Sequence, residues 1–132
     1  MGESSEVDRY LTTLLREVEG LAAKLPPQVE VTASIRHRNV YVEVRGPRWA
    51  TFTLVLGSEA PEIVYDGRYI HHHLIGPGMD DQLEFIQESL EEIAGFVLGD
   101  KELTQGKTRI LRKPYVSTPL SEGAEWRLHE FH

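Results

Sequence analysis

The spacing of apolar residues changes period twice along this chain, from helical to strand-like and back, and few folds accommodate that succession. From Glu6 to Leu25, the residues Val7, Leu11, Leu14, Val18, Leu21 and Leu25 recur at alternating spacings of four and three, and Tyr10, Leu15 and Ala22 widen the stripe. That spacing predicts an amphipathic helix. Ser5, three residues before Asp8, is positioned to cap it, and Pro26-Pro27 stops it.

From Val29 the period falls to two. Val29, Val31, Ala33 and Ile35 alternate with Glu30, Thr32, Ser34 and Arg36, and after a turn at His37-Arg38-Asn39 the alternation resumes with Val40, Val42 and Val44. Gly46-Pro47 breaks the run before a third strand from Trp49 to Leu56, and Gly57 to Pro61 turns into a fourth at Ile63 to Tyr65. Asp66-Gly67 is a hairpin dipeptide, which makes Arg68 to Ile75 a fifth strand. Connections this short imply antiparallel pairing, because parallel neighbours need long crossovers.

Helical spacing then returns. Leu83, Ile86, Leu90, Ile93 and Val97 form a stripe that Phe85, Ala94 and Phe96 broaden, with Gly99 as terminator. Asp80, Asp81, Glu84, Glu88, Glu91 and Glu92 make the outer face acidic, and no Lys or Arg lies between Asp80 and Leu98. A short strand is predicted from Thr108 to Tyr115. This stretch and the residue before it hold Lys107, Arg109, Arg112 and Lys113, four of the fourteen basic residues. Their expected outlet is neutralisation of the acidic helix within the chain. From Ser117 to His132 the sequence reads as a tail, either a docked last strand or a flexible or partner-docking segment, with Trp126 and Phe131 as its contact residues. The fold class expected is α+β: a two-layer sandwich in which both helices pack on an antiparallel meander of about four to six strands. With 132 residues, a single domain spanning the chain is expected.

Composition excludes several kinds of chemistry. The chain has no cysteine, which rules out disulfides, zinc-thiolate sites and thiol catalysis. Its net charge of −7 opposes binding to a nucleic-acid backbone or an anionic membrane and favours a basic protein partner. No apolar run approaches the roughly 20 residues that span a bilayer. The acidic start, Met1 to Glu6, lacks the basic-then-apolar order of a secretory signal, so a cytoplasmic location is expected.

The densest chemistry lies at His71, His72 and His73, ahead of Gly76-Pro77-Gly78. On an extended backbone His71 and His73 share one face, a pair able to ligate zinc as two neutral imidazoles. A third ligand would come from Asp66, Asp80, Asp81, His37, His129 or His132, and no spacing singles one out. The glycine loop is not a phosphate cradle: Pro77 removes a donor, and Asp80 with Asp81 repels an anion. No G-x-S-x-G elbow and no HExxH helix is present.

In element order and acidity the chain is similar to small acidic binding proteins, type III secretion chaperones and toxin-immunity proteins among them. That likeness implies a noncatalytic protein-binding module, a homodimer or partner-bound, contacting its partner through Glu84, Glu88 and Glu91 or through Trp126 and Phe131. The alternative expectation is a metal-dependent hydrolase or metal-binding regulator that holds zinc at His71 and His73.

Overall fold

A computed structural model describes residues 2–76, 78–99, 101–121 and 123–130. The chain is α+β as expected, but its antiparallel sheet has eight strands rather than four to six. Helix α1 (Gly2–Ala22) precedes β1 (Glu30–Arg36), β2 (Asn39–Arg45), β3 (Phe52–Leu56), β4 (Glu62–Tyr65) and β5 (Tyr69–His72). Helix α2 (Met79–Leu98) then leads to β6 (Thr104–Lys107), β7 (Pro114–Pro119) and β8 (Glu125–Glu130).

The first helix begins earlier than the apolar stripe. Ser5 therefore falls within the span of α1 and not at its start, and Val7 is 40% exposed, while Leu11, Leu14 and Val18 are buried. At the other end Lys24 and Leu25 donate to the carbonyls of Leu21 and Ala22, a tightening of the last turn that satisfies carbonyls the helix leaves open. The second helix ends at Gly99, whose left-handed φ of 90° lets its N–H reach back to the Gly95 and Phe96 carbonyls.

Strands β1 to β5 form the expected meander. Its tightest turn, at His37-Arg38, puts both residues in the left-handed region (φ 50° and 61°), the two-residue geometry whose twist matches that of the flanking strands. Asp66-Gly67 turns in the same way (φ 55° and 65°). The remaining strands run in reverse, so that the order across the sheet is β1-β2-β3-β4-β5-β8-β7-β6. Helix α2 is thus the connection that carries the chain from mid-sheet to its far edge.

The strand expected at Thr108 to Tyr115 is corrected. Residues 108–113 are the loop joining β6 to β7, closed by Thr108 N–H to Lys113 O (2.9 Å), Arg112 N–H to Thr108 O (3.1 Å) and Lys113 N–H to Thr108 Oγ1 (2.9 Å). Nothing in Arg109-Ile110-Leu111-Arg112 marks a turn by composition, and Arg112 adopts a left-handed φ of 54° without being Gly or Asn. Within the stretch read as a tail, residues 117–119 complete β7 and β8 sits between β5 and β7.

Both helices cover one face of the sheet. Val40, Val42 and Val44 of β2, Phe52, Leu54 and Leu56 of β3, and Ile63 of β4 are fully buried there, joined by Leu128 of β8. The Phe52 and Phe96 rings stack at 5.9 Å, fixing α2 on β3. Among the described residues no helix is long and apolar enough to cross a membrane.

Candidate functional site

The histidine triplet straddles the sheet. Alternation along β5 sends His72 outward to Glu62 (Nδ1 to Oε2, 3.5 Å) and turns His71 and His73 to the helix side, where both are half-buried. His71 Nε2 and His73 Nδ1 stand 3.4 Å apart, close enough for one nitrogen to donate to the other when both rings are neutral. Burial lowers the pKa of His71. The nearby charge of His73 lowers it further, a hydrogen bond to the Arg127 backbone opposes the shift, and His72 and His129 add to the lowering. The shift favours the neutral form of His71, the form that metal ligation requires.

His71 and His73 are a pair of potential cation ligands with facing nitrogens. Among the described residues no group of three or more His, Asp or Glu converges on one point, so Asp66, Asp80, Asp81, His37 and His129 do not complete a ligand set there. His129 shows why: it pairs with Ile70, one residue out of step with His71, and so belongs to the opposite face. His132 lies outside the described residues.

Beyond the pair, the His73 ring stacks on Phe85 of α2 at 5.2 Å and opens a groove of about 340 Å³ between α2 and the β7–β8 hairpin. Phe85, Leu120, Ala124 and Trp126 line it with apolar surface, and Ser89, Ser121, Glu88, Glu91 and Glu92 supply its polar atoms. Helical spacing explains the acidic side: Glu88, Glu91 and Glu92 fall three and four residues apart and share one flank of α2.

These carboxylates are in different states. Glu92 is held by Lys101 Nζ and by the Ser121 backbone N–H (3.2 Å to Oε1), and Lys101 Nζ also donates to Ser121 Oγ (3.2 Å). Burial pushes the Glu92 pKa up, but the hydrogen bonds from Lys101 and Ser121 prevail and leave it below the usual carboxylate range. Glu92 is therefore compensated. Glu84, Glu88 and Glu91 are exposed and take part in none of the ion pairs among the described residues; Glu84 stands outside the groove, one turn before Glu88.

Trp126 does not project toward a partner as a tail residue would. It is 6% exposed, sits opposite Thr118 in the β7–β8 ladder and forms groove floor. Phe131 lies outside the described residues. The residues that sequence reasoning passed over, Leu120, Ser121 and Ala124, belong to the β7–β8 turn, where Leu120 N–H reaches Ala124 O (2.8 Å) and Gly123 takes a left-handed φ of 86°. Pro119 and Gly123 were the local signal for that turn.

The expected neutralisation of α2 by the basic stretch is absent as well. Among the described residues, Lys107, Arg109, Arg112 and Lys113 form no ion pair with any α2 carboxylate. Instead the loop lifts Ile110 and Leu111 into solvent, 91% and 71% exposed. No protein-family model, no curated protein and no solved structure matches this chain.

Proposed function

We propose that this chain is a noncatalytic protein-binding module, adaptor-, chaperone- or immunity-like, whose groove between α2 and the β7–β8 hairpin receives a basic, partly aliphatic segment of another protein. The observation that carries this reading is the pairing of an apolar floor, Phe85, Leu120 and Trp126, with two rim carboxylates, Glu88 and Glu91, that have no cationic partner among the described residues. An aromatic floor supplies contact area, and unpaired rim charge steers and selects a partner of opposite sign. Such steering weakens as salt rises.

A fluorescently labelled peptide of alternating Lys and Leu, set against a Glu-Leu peptide of equal length, tests the reading by anisotropy. The basic peptide is expected to bind, to weaken with salt, and to lose about tenfold in affinity, roughly 1.4 kcal/mol, in Glu88→Lys/Glu91→Lys. Equal affinity for both peptides, or binding indifferent to salt and to the reversal, would overturn it.

The 3.4 Å between the His71 and His73 nitrogens favours a second reading, a metal-binding regulator. A tetrahedral Zn²⁺ with Zn–N bonds of about 2.0–2.1 Å spans roughly that separation. Stoichiometric zinc uptake, lost in His71→Ala/His73→Ala, is its expected signature in a calorimetric titration; identical titrations of both proteins would remove it.

A further inference from the structure

We infer that the groove's occupant is the β6–β7 loop of a second copy of this chain, an inference that rests on the groove being a binding site for a basic segment. Residues 108–113 are a preformed loop, closed by three hydrogen bonds, that holds Ile110 and Leu111 away from the body at 91% and 71% exposure. A hydrogen-bonded loop that already presents two adjacent aliphatic side chains to solvent has less backbone entropy to lose on docking. Arg109 and Arg112 flank them, and neither is in an ion pair among the described residues.

The groove is the complement of this loop, apolar beneath and acidic at the rim, so Ile110 and Leu111 meet Phe85 and Trp126 while Arg109 and Arg112 meet Glu88 and Glu91. One molecule cannot satisfy itself. The loop leads into the Pro114 end of β7 and the groove lies past its Pro119 end, so six residues of strand separate them, roughly 20 Å at about 3.3 Å per residue. An anionic lipid or nucleic-acid surface would leave the apolar floor and rim carboxylates of the groove unfilled, whereas a second copy fills the groove with its loop and receives the loop in its own groove. The contact is heterologous in its parts and either closes as a reciprocal pair or continues head to tail.

Sedimentation velocity over a concentration series tests this with three proteins: the wild type, the loop variant Ile110→Ser/Leu111→Ser, and the groove variant Glu88→Lys/Glu91→Lys. Wild type is expected to self-associate and to dissociate with salt, and each variant alone to associate at least about tenfold more weakly. An equimolar mixture of the two variants recovers association, because the intact loop of one meets the intact groove of the other. Wild type that remains monomeric overturns the inference, as does a mixture that stays apart while wild type associates. Monomeric wild type that still binds the labelled Lys-Leu peptide overturns the second copy alone and leaves the groove as a site for a different protein; failure to bind either removes both. Monomeric wild type that sediments with phosphatidylglycerol vesicles through Ile110 and Leu111 overturns it in favour of a lipid surface.

Discussion

His71 is a base kept from its proton. Burial and the neighbouring rings lower its pKa, so at acid pH the unfolded chain takes up a proton that the folded chain resists. The sign follows directly: the stabilisation is complete above the unfolded value near 6.5 and is lost as pH falls through the depressed folded value. Melting temperature is expected to decline as pH drops from 7 through this window, and His71→Leu, which cannot titrate, should flatten that decline. Parallel melting curves for the two proteins between pH 7 and 5 would assign the acid sensitivity to other groups. Alternation along Tyr69 to Ile75 was sufficient to put His71 and His73 on one face. It carried no information about Phe85, which lies twelve residues further along the chain and is brought onto His73 by the packing of α2.

At the scale of elements, local rules succeeded where punctuation and period agreed. The two helices, the β1–β2 hairpin and the Asp66-Gly67 turn were legible because Pro, Gly and the change of period coincide with their ends. The β6–β7 loop was not, because Arg109-Ile110-Leu111-Arg112 has strand-like composition and its closure depends on the Thr108 hydroxyl and a left-handed Arg112. The same conformational energy gives a prediction with two signs. His37 and Arg38 occupy left-handed φ without being glycine, at a cost of roughly 1–2 kcal/mol per residue. Arg38→Gly relieves part of it, offset by the extra freedom of glycine in the unfolded chain, and is expected to stabilise by about 0.5 kcal/mol. Gly67, at φ 65° with open space where a Cβ would point, isolates the opposite effect: Gly67→Ala should destabilise by about 1–2 kcal/mol through backbone strain alone. Urea midpoints read both; a Gly67→Ala protein as stable as wild type would mean that the turn changes type.

Across the whole molecule, the two-layer α+β arrangement follows from the periods of the sequence, but the strand order does not. Among the described residues the β5–β8 seam joins positions some sixty apart through two registered pairs, Tyr69 with Glu130 and Ile70 with His129, and no local signal announces it. So short a ladder leaves the docking of β6 to β8 dependent on other links. Buried Val116, Trp126 and Leu128 provide one, and the Glu92, Lys101 and Ser121 cluster provides the other, joining α2 directly to the β7–β8 turn. Because Glu92 and Lys101 are only 16% and 25% exposed, removing one leaves the other partly buried without its counter-charge. Glu92→Ala is therefore expected to cost about 1–3 kcal/mol, with amide exchange accelerating first in β6 to β8 and least in β2 and β3. The depressed pKa of Glu92 fixes the pH window: its contribution is present in full above the unfolded value of about 4.5 and fades as pH falls through the lower folded value, below the range governed by His71. Wild type and Glu92→Ala should accordingly converge in stability as pH falls below about 4.5. Uniform acceleration of exchange across all eight strands would instead mean that the sheet opens as one unit and that the cluster is not what holds its second half.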